Sequence, residues 1–234
     1  MTDKNSDEIL TRKFEDLAQR AYRDGIYTFS GFLSLAEQEL LRSAAGRLPI
    51  KISLEGGSDA AERKIGIFGS EEDFGYAPEL PVVTVSIAPV SEKYGEELSH
   101  RDYLGAVLAL GIDRSTTGDI IVQGKHAWLF CLESMAGYII QNLSEVRHTK
   151  VKCSVEAEIP PEARPVLREE AVNVASERAD AIVAAVLNIS RGRAAELFTA
   201  QRVYVDSRLA ENGGKALKEG NTISIRGNGR FIYR

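Results

Sequence analysis

The chain has 234 residues, of which 44% are hydrophobic and 27% are charged. This length and composition predict two or three compact domains and exclude collagen-like rods, coiled coils and wholly disordered chains. The longest nearly apolar run, from Tyr103 to Ile112, is too short to span a bilayer, and the N-terminal residues lack the apolar stretch of a signal peptide. Cys131 and Cys153 are too few for a disulfide scaffold or a four-cysteine zinc site, so we expect a cytoplasmic protein without membrane contact.

Charge is distributed unevenly along the chain. The total is 29 basic against 34 acidic residues, a net of −5. Residues 173–234 contain 10 Lys or Arg and 6 Asp or Glu, a net of +4, which leaves a net of −9 for residues 1–172. A basic C-terminal segment on an acidic body indicates either nucleic-acid contact at that end or an ordinary solvated surface.

Three domains are predicted in chain order, which places the protein in the α+β class. The first, residues 1–77, is a small αβ domain with two amphipathic helices followed by two short strands. The four predicted elements are Ile9–Asp24, Ser34–Gly46, Lys51–Leu54 and Ile65–Phe68. Pro78 and Pro81 then indicate a linker.

The second predicted domain, residues 80–160, has the order βαββαβ that is typical of the ferredoxin-like fold. Ser99 with Asp102 three residues later predicts a capping box at the start of its first helix. The predicted elements are Val82–Ile87, Tyr103–Leu110, Asp119–Val122, Ala127–Leu132, Ser134–Leu143 and Val151–Ile159.

The third predicted domain, residues 171–234, follows a linker that contains Pro160, Pro161 and Pro165. Ser176 and Ser190 are each predicted to cap a helix with an apolar face. Three short strands complete a small sheet: Val203–Val205, Thr222–Ile225 and Arg230–Tyr233.

The residues of an active site are not recognisable in this sequence. His100, His126 and His148 lie in no metal-binding spacing, and the two cysteines fall inside predicted strands. The glycines around Asn228 lack the spacing of a phosphate-binding loop. We therefore expect no enzymatic activity, no metal and no cofactor.

Basic residues in the third predicted domain are candidates for binding the phosphates of RNA. Ser190-Arg191-Gly192-Arg193 begins a predicted helix, where free backbone N–H groups and forked arginine donors suit a phosphate. A structural alternative pairs Arg191 with Asp180 or Glu177. The complete set of RNA-binding candidates is Arg178, Ser190, Arg191, Arg193, Arg202, Lys215, Lys218, Arg226 and Arg230.

An ordered series of motifs in residues 171–234 resembles the S4 RNA-binding domain. The motifs are Arg178-Ala179-Asp180, Ser190-Arg191, Arg202-Val203-Tyr204-Val205-Asp206, Leu217-Lys218-Glu219-Gly220-Asn221 and Ile223-Ser224-Ile225-Arg226-Gly227. The sequence departs from that pattern at three places. Ala179 stands where leucine is usual, Asp206-Ser207 replaces Asn-Gly, and Asn221 replaces aspartate.

Further motifs upstream resemble bacterial YlmH proteins. They are Gly56-Gly57, Ala61-Glu62-Arg63-Lys64, His100-Arg101-Asp102-Tyr103-Leu104-Gly105 and Gly118-Asp119-Ile120-Ile121-Val122. The resemblance to YlmH-like S4 proteins thus covers nearly the whole chain. It implies an RRM-like middle domain, although Trp128 and Phe130 are the only aromatic residues there that could stack on bases, and both are candidates for the core.

The YlmH resemblance implies a non-enzymatic RNA-binding factor. Such a factor would attach to the large ribosomal subunit, contact rRNA and tRNA, and act in ribosome quality control when nascent chains stall. A link to cell division is also implied. We expect a monomer that does not bind DNA. Two alternatives stay open: an RNA-modifying enzyme delivered by the S4 domain, and a protein–protein adaptor.

Overall fold

A computed structural model describes residues 2–58, 61–156, 169–206 and 208–234. They divide into two compact units, one drawn from Met1–Ser34 and Leu40–Val166, the other from Leu35–Glu39 and Leu167–Arg234. The first unit thus contains most of the predicted N-terminal and middle domains. Helices combine with antiparallel sheets in both, which confirms the predicted α+β class.

The N-terminal part begins with a long helix. Its elements are α1 (Thr2–Asp24), β1 (Thr28–Leu33), α2 (Leu35–Ala44), a 3₁₀ turn (Ala45–Arg47), β2 (Ile52–Glu55), β3 (Lys64–Phe68) and α3 (Glu71–Phe74). The strands form an antiparallel sheet of order β1-β3-β2. Helix α1 ends at Asp24 and Gly25 follows it, as predicted, since Gly25 has the positive φ of 65° that favours glycine.

Strand β1 is absent from the sequence prediction because polar residues occupy its buried positions. Thr28 and Ser30 are buried. The Ser30 hydroxyl accepts a hydrogen bond from the Gly66 N–H at 2.7 Å, and the Thr28 hydroxyl donates to the Leu17 carbonyl at 2.8 Å. These bonds satisfy the buried hydroxyls, so a strand forms without hydrophobic alternation.

The middle part is a five-stranded antiparallel sheet with two helices on one face. Its elements are β4 (Val82–Pro89), α4 (His100–Ala109), a 3₁₀ turn (Arg114–Thr116), β5 (Thr117–Gln123), β6 (His126–Leu132), α5 (Glu133–Asn142), β7 (Glu145–Val146) and β8 (Thr149–Glu156). The strand order is β5-β6-β4-β8-β7. Apart from β7, the order of helices and strands is the predicted βαββαβ, and the last predicted strand residues, 157–159, lie outside the described residues.

The start of α4 contains the predicted capping box. Asp102 accepts hydrogen bonds from the Ser99 backbone N–H at 2.8 Å and from the Ser99 hydroxyl at 2.7 Å. Helices α4 and α5 then bury Tyr103, Val107 and Ile139 against the sheet. The Asp102 carboxylate therefore stabilises the first turn of a helix that covers the core.

The opposite face of this sheet packs against the N-terminal sheet. Phe130 on β6 is 1% exposed and lies in one cluster with Phe32, Ile65 and Ile67. Trp128, two residues earlier, is 9% exposed. Both aromatic residues that could have served base stacking are therefore buried, as the core interpretation expected.

The second unit is a pair of helices on a four-stranded antiparallel sheet. Its elements are α6 (Ala179–Val186), α7 (Arg191–Thr199), β9 (Val203–Val205), β10 (Arg208–Leu209), β11 (Thr222–Ile225) and β12 (Gly229–Ile232), and the strand order is β10-β9-β11-β12. The core contains Ile182, Val183, Phe198 and Ile223. Among the described parts of the whole chain, no helix is long and apolar enough to cross a membrane.

One predicted helix start is wrong and another is confirmed. Helix α6 begins after Arg178 rather than at Ser176, because the preceding residues are extended: the Glu177 carbonyl accepts from the Leu217 N–H at 2.9 Å, and Arg178 bridges to Ala216. Ser190 is the N-cap of α7, with its hydroxyl accepting from the Arg193 N–H at 3.3 Å.

Candidate nucleic-acid interface

Two candidate arginines share one carboxylate at the start of α6. Asp180 accepts from Arg178 through both oxygens, at 3.1 Å from Nε and 2.7 Å from an Nη atom. Arg191 reaches the same carboxylate at 3.3 Å. The pairing of Arg191 with Asp180, which the sequence left as an alternative, is therefore present. Both arginine side chains remain about half exposed, at 48% and 59%, while Asp180 keeps only 12% exposure, so their outer edges stay accessible to an anion.

A loop closes over the first turn of α6. The Ala179 N–H donates to the Lys215 carbonyl at 2.9 Å, and the Asp180 N–H donates to the Gly213 carbonyl at 2.8 Å. A Cβ atom at Gly213 would lie 2.8 Å from the Asp180 Cβ, so glycine is needed for this close approach. The loop uses N–H groups that could have bound phosphate, and it places Lys215 beside Arg178.

The start of α7 contributes Arg193. The Ser190 hydroxyl is occupied by the Arg193 backbone N–H, so Ser190 acts here as a helix cap. The Arg193 side chain is exposed. We call three basic residues at the starts of α6 and α7, together with the lysine of the loop over α6, the helix-start cluster: Arg178, Arg191, Arg193 and Lys215.

Three further candidates lie at the sheet of the second unit. An Nη atom of Arg202 donates to the Arg226 carbonyl at 2.7 Å, and the Arg226 N–H donates to the Arg202 carbonyl at 2.9 Å. The Arg226 guanidinium lies 5.8 Å from the centre of the Tyr204 ring. Arg230 pairs across β12 and β11 with Ser224, which pairs with Tyr204. Arg202 thus anchors a turn, while Arg230 is exposed on the sheet.

Asp206 and Asn221, two of the residues that differ from the usual S4 pattern, form a hydrogen bond with each other. The Asn221 amide donates to the Asp206 carboxylate at 2.7 Å, and the Thr222 N–H donates to its other oxygen at 2.8 Å. Asn221 also accepts from the Lys218 backbone N–H at 2.7 Å. The Asp206 charge therefore holds two turns together, and the candidate Lys218 lies in one of them.

Replacing Asp180 with asparagine is expected to destabilise the second unit by about 1–2 kcal/mol. The substitution removes the carboxylate that both Arg178 and Arg191 contact, and the solvent exposure of the two arginines limits the loss. Chemical denaturation would measure it. Glu196→Gln, the same chemical change at an exposed position of α7, should alter the free energy of unfolding by less than about 0.5 kcal/mol. An Asp180→Asn protein as stable as the Glu196→Gln control would contradict a structural role for this carboxylate.

The same substitution should remove a pH dependence of stability. The hydrogen bond from Arg178 is the largest effect on the pKa of Asp180 and lowers it, while burial opposes this. The charge of Arg178 and the hydrogen bond and charge of Arg191 lower the pKa further, so it lies below its ordinary value. The stabilisation is therefore complete above the ordinary aspartate pKa and is lost as the pH falls through the lower pKa of the folded protein. The stability difference between the natural chain and Asp180→Asn should shrink over that range.

Arg208 is a further basic residue of the second unit that the sequence does not indicate as an RNA-binding candidate. This residue lies exposed on β10, opposite Val205 of β9. A strand of two residues has no periodicity to detect, so only the strand pairing reveals its position beside the sheet.

The middle of the chain matches a known protein family. The model of the family described as "Putative RNA-binding domain in YlmH" matches residues 82–158. That segment contains 7 basic and 10 acidic residues, a net of −3. All nine RNA-binding candidates identified from the sequence lie after residue 170, because only that end is basic.

Two similar proteins cover most of the fold. A Bacillus subtilis protein named "Ribosome-associated protein quality control protein P2" is 27% identical over 227 residues, which cover 93% of this chain and 83% of that protein. The solved structure of cell division protein ylmH from Streptococcus pneumoniae matches with a TM-score of 0.54 at 15% identity, and the match covers 64% of this chain and 91% of that one. At this identity the structural likeness concerns the fold.

Proposed function

We propose that this chain, which is a YlmH-like protein, binds rRNA or tRNA on the large ribosomal subunit and acts when nascent chains stall. The observation that carries the proposal is the helix-start cluster, in a segment of net charge +4. Arg178 and Arg191 share one largely buried carboxylate, Arg193 lies in the first turn of α7, and Lys215 lies in the loop over α6. Such a surface attracts the phosphates of an RNA backbone.

The guanidinium geometry favours phosphate over a purely structural role. An arginine side chain has five N–H donors in a planar group. Arg178 donates two hydrogen bonds to Asp180 and Arg191 donates one, so both keep donors for a phosphate. The carboxylate fixes the direction of both side chains, which lowers the entropy lost when a phosphate binds. We therefore assign positioning to Asp180 and phosphate contact to Arg178, Arg191, Arg193 and Lys215.

The name of the Bacillus subtilis relative supports a ribosomal setting, since that protein is described as ribosome-associated and as part of protein quality control. The S4 identity of residues 171–234 is part of this proposal and is supported by the motifs of the two helices and the sheet. The link to cell division stays a prediction.

The proposed role is binding without catalysis. Burial raises the pKa of Cys131 to about 12 and that of Cys153 to about 11, so both thiols are protonated at neutral pH and are poor nucleophiles. The three histidines lie on different elements, at the start of α4, on β6 and after β7. His126 Nε2 lies 3.1 Å from the Glu92 carboxylate, but both side chains are exposed to water, which is typical of a surface ion pair.

Co-sedimentation with large ribosomal subunits should depend steeply on salt. If the helix-start cluster makes four phosphate contacts, the slope of log affinity against log salt is about −3 to −4, and the affinity falls about 100-fold between 50 and 200 mM salt. Sedimentation with purified large subunits over this range would measure the slope, with small subunits as the control. Binding that stays constant across the range would contradict phosphate contact.

A further inference from the structure

Four aromatic side chains of the first unit form one cluster beside α3. The ring centre of Tyr27 lies 5.0 Å from that of Phe74 and 5.2 Å from that of Tyr76, and both pairs meet almost at right angles, at 87° and 85°. Phe74 and Tyr76 are closer to parallel, at 29° with ring centres 6.2 Å apart, and Phe29 stacks on Tyr27 at 6.5 Å. Tyr76 is 48% exposed, so part of this cluster is open to a partner.

The fold fixes the position of these rings. The Tyr27 hydroxyl donates to the Tyr76 backbone carbonyl at 2.7 Å, which joins residues 49 positions apart. A Cβ atom on Gly69 would lie 3.0 Å from the Tyr27 ring and closer still to the Phe74 ring, so glycine is needed for this packing. A partner therefore meets rings that are already in place, which lowers the entropy lost on binding.

Helix α3 places carboxylates next to the rings. Glu71 lies three residues before Phe74, on the same side of the helix, and Asp73 directly precedes Phe74. Burial is the main cause that raises the pKa of Tyr27. The charges of Tyr76, Glu71 and Asp73 act in the same direction. The two carboxylates thus lie beside the ring cluster in the chain and within electrostatic range of it.

The neighbouring basic groups are paired with other carboxylates. Lys51 forms a salt bridge with Glu72, the third acidic residue of α3. At the end of α1, the Asp24 carboxylate lies 2.7 Å from Arg23 Nε and 4.0 Å from Arg20 Nε. Among the described residues, the other two carboxylates of α3 take part in no salt bridge. The surface therefore keeps a negative charge, in a chain whose residues 1–172 have a net charge of −9.

Aromatic rings beside carboxylates attract a positively charged side chain. The face of a ring attracts a cation within about 6 Å of its centre, and a carboxylate attracts the same charge. Arginine suits this surface better than lysine, because its planar guanidinium stacks on a ring while its N–H groups donate to carboxylates. The phosphates of RNA would be repelled by the same carboxylates.

We propose that the ring cluster and the two carboxylates form a docking surface for an arginine-containing basic segment of a partner protein. The surface consists of Tyr27, Phe74, Tyr76, Glu71 and Asp73. The rings stack on the guanidinium group, and the carboxylates balance its charge. This surface goes beyond the proposed function, because its partner is a protein and its charge is opposite to that of the helix-start cluster.

Nuclear magnetic resonance of the full chain tests the surface with a peptide of glycine, serine and three arginines. The ring signals of Tyr76 and Phe74 should shift in a saturable way as the peptide is added. The same peptide with citrulline, a neutral analogue of arginine, should not reproduce the shifts. If the arginine peptide leaves both signals unchanged, or if the citrulline peptide shifts them equally, the proposal is wrong.

Removing the exposed ring tests where the peptide binds. Tyr76→Ala should weaken binding of the arginine peptide about fivefold, because a cation–π contact is lost. The Tyr27 hydrogen bond reaches a backbone carbonyl, so it can still form in this variant. Tyr94→Ala removes a tyrosine that is 75% exposed elsewhere in the first unit and should retain the natural affinity. Equal losses in the two variants would contradict the proposal.

Neutralising one carboxylate tests the charge. Glu71→Gln should weaken binding of the arginine peptide about twofold. Glu97→Gln makes the same change at an exposed position of the first unit outside this surface and should leave the affinity unchanged. Equal losses here would mean that the peptide responds only to net charge, and the proposal would be refuted.

The RNA affinity of Tyr76→Ala distinguishes a protein partner from other occupants. It should equal that of the natural chain, whether or not the helix-start cluster binds RNA. If Tyr76→Ala weakens RNA binding and leaves peptide binding unchanged, the occupant is RNA. If it abolishes self-association and leaves peptide binding unchanged, the occupant is a second copy of the chain. Either result would overturn the proposal.

Discussion

Reversing the charge at Arg193 and Lys215 together should lower the affinity of the full chain for RNA about tenfold or more and reduce the salt slope by about two. The Arg193 side chain projects from the first turn of α7, and Lys215 lies in the loop that closes over α6. Neither side chain takes part in the salt bridges described for the chain, so Arg193→Glu and Lys215→Glu should leave the fold intact. Fluorescence anisotropy with an RNA duplex at several salt concentrations would measure both quantities.

The control variant changes the net charge of the chain by the same amount, at two positions outside the helix-start cluster. Arg12→Glu and Lys93→Glu reverse two exposed charges of the first unit, on α1 and in the segment after β4. Equal losses in the two double variants would mean that RNA responds only to net charge. The assignment of phosphate contact to the helix-start cluster would then be wrong.

Truncating Phe130 should destabilise the first unit by about 3–5 kcal/mol. The ring is 1% exposed and packs between the N-terminal and middle sheets, with Phe32, Ile65 and Ile67. Space around it is already tight, since a Cβ atom on Gly57 would lie 2.8 Å from the ring. Phe130→Ala would leave a cavity that neither sheet can close, and chemical denaturation would report the loss.

The RNA affinity of the folded Phe130→Ala protein should stay close to that of the natural chain. This expectation distinguishes a core role of Phe130 from the base-stacking role that exposed aromatic residues have in RRM sheets. Tyr94→Ala, at a side chain that is 75% exposed, is the control and should change stability by less than about 0.5 kcal/mol. A loss below about 1 kcal/mol for Phe130→Ala would contradict its place between the sheets.

Local pattern was sufficient for much of the chain from residue 82 onward. The β-branched run of β4, the turn before β6 and the alternation in β8 predicted these strands within a few residues, and the apolar faces of α4, α5 and α7 predicted the helices. Ser99 and Ser190 marked two helix starts correctly because capping depends on residues three positions apart. The YlmH resemblance, carried by short motifs, agrees with the matches of known proteins.

Contacts between distant residues were beyond such patterns. Strand β1 forms because Gly66 satisfies the buried Ser30 hydroxyl, and α6 starts late because Leu217 holds Glu177 in an extended bridge. No window of neighbouring residues contains either pairing.

By itself, the sequence determined the α+β class, the order of the middle strands and the basic character of the C-terminal end. The tertiary structure decided what each charged side chain contacts. It joined Arg178 and Arg191 through Asp180, and it brought Arg63 to Arg114 from 51 residues away. Hydrophobic periodicity and helix capping depend on residues a few positions apart in the sequence. The contacts of a charged side chain depend on how whole sheets and helices pack, which is present only in the folded chain.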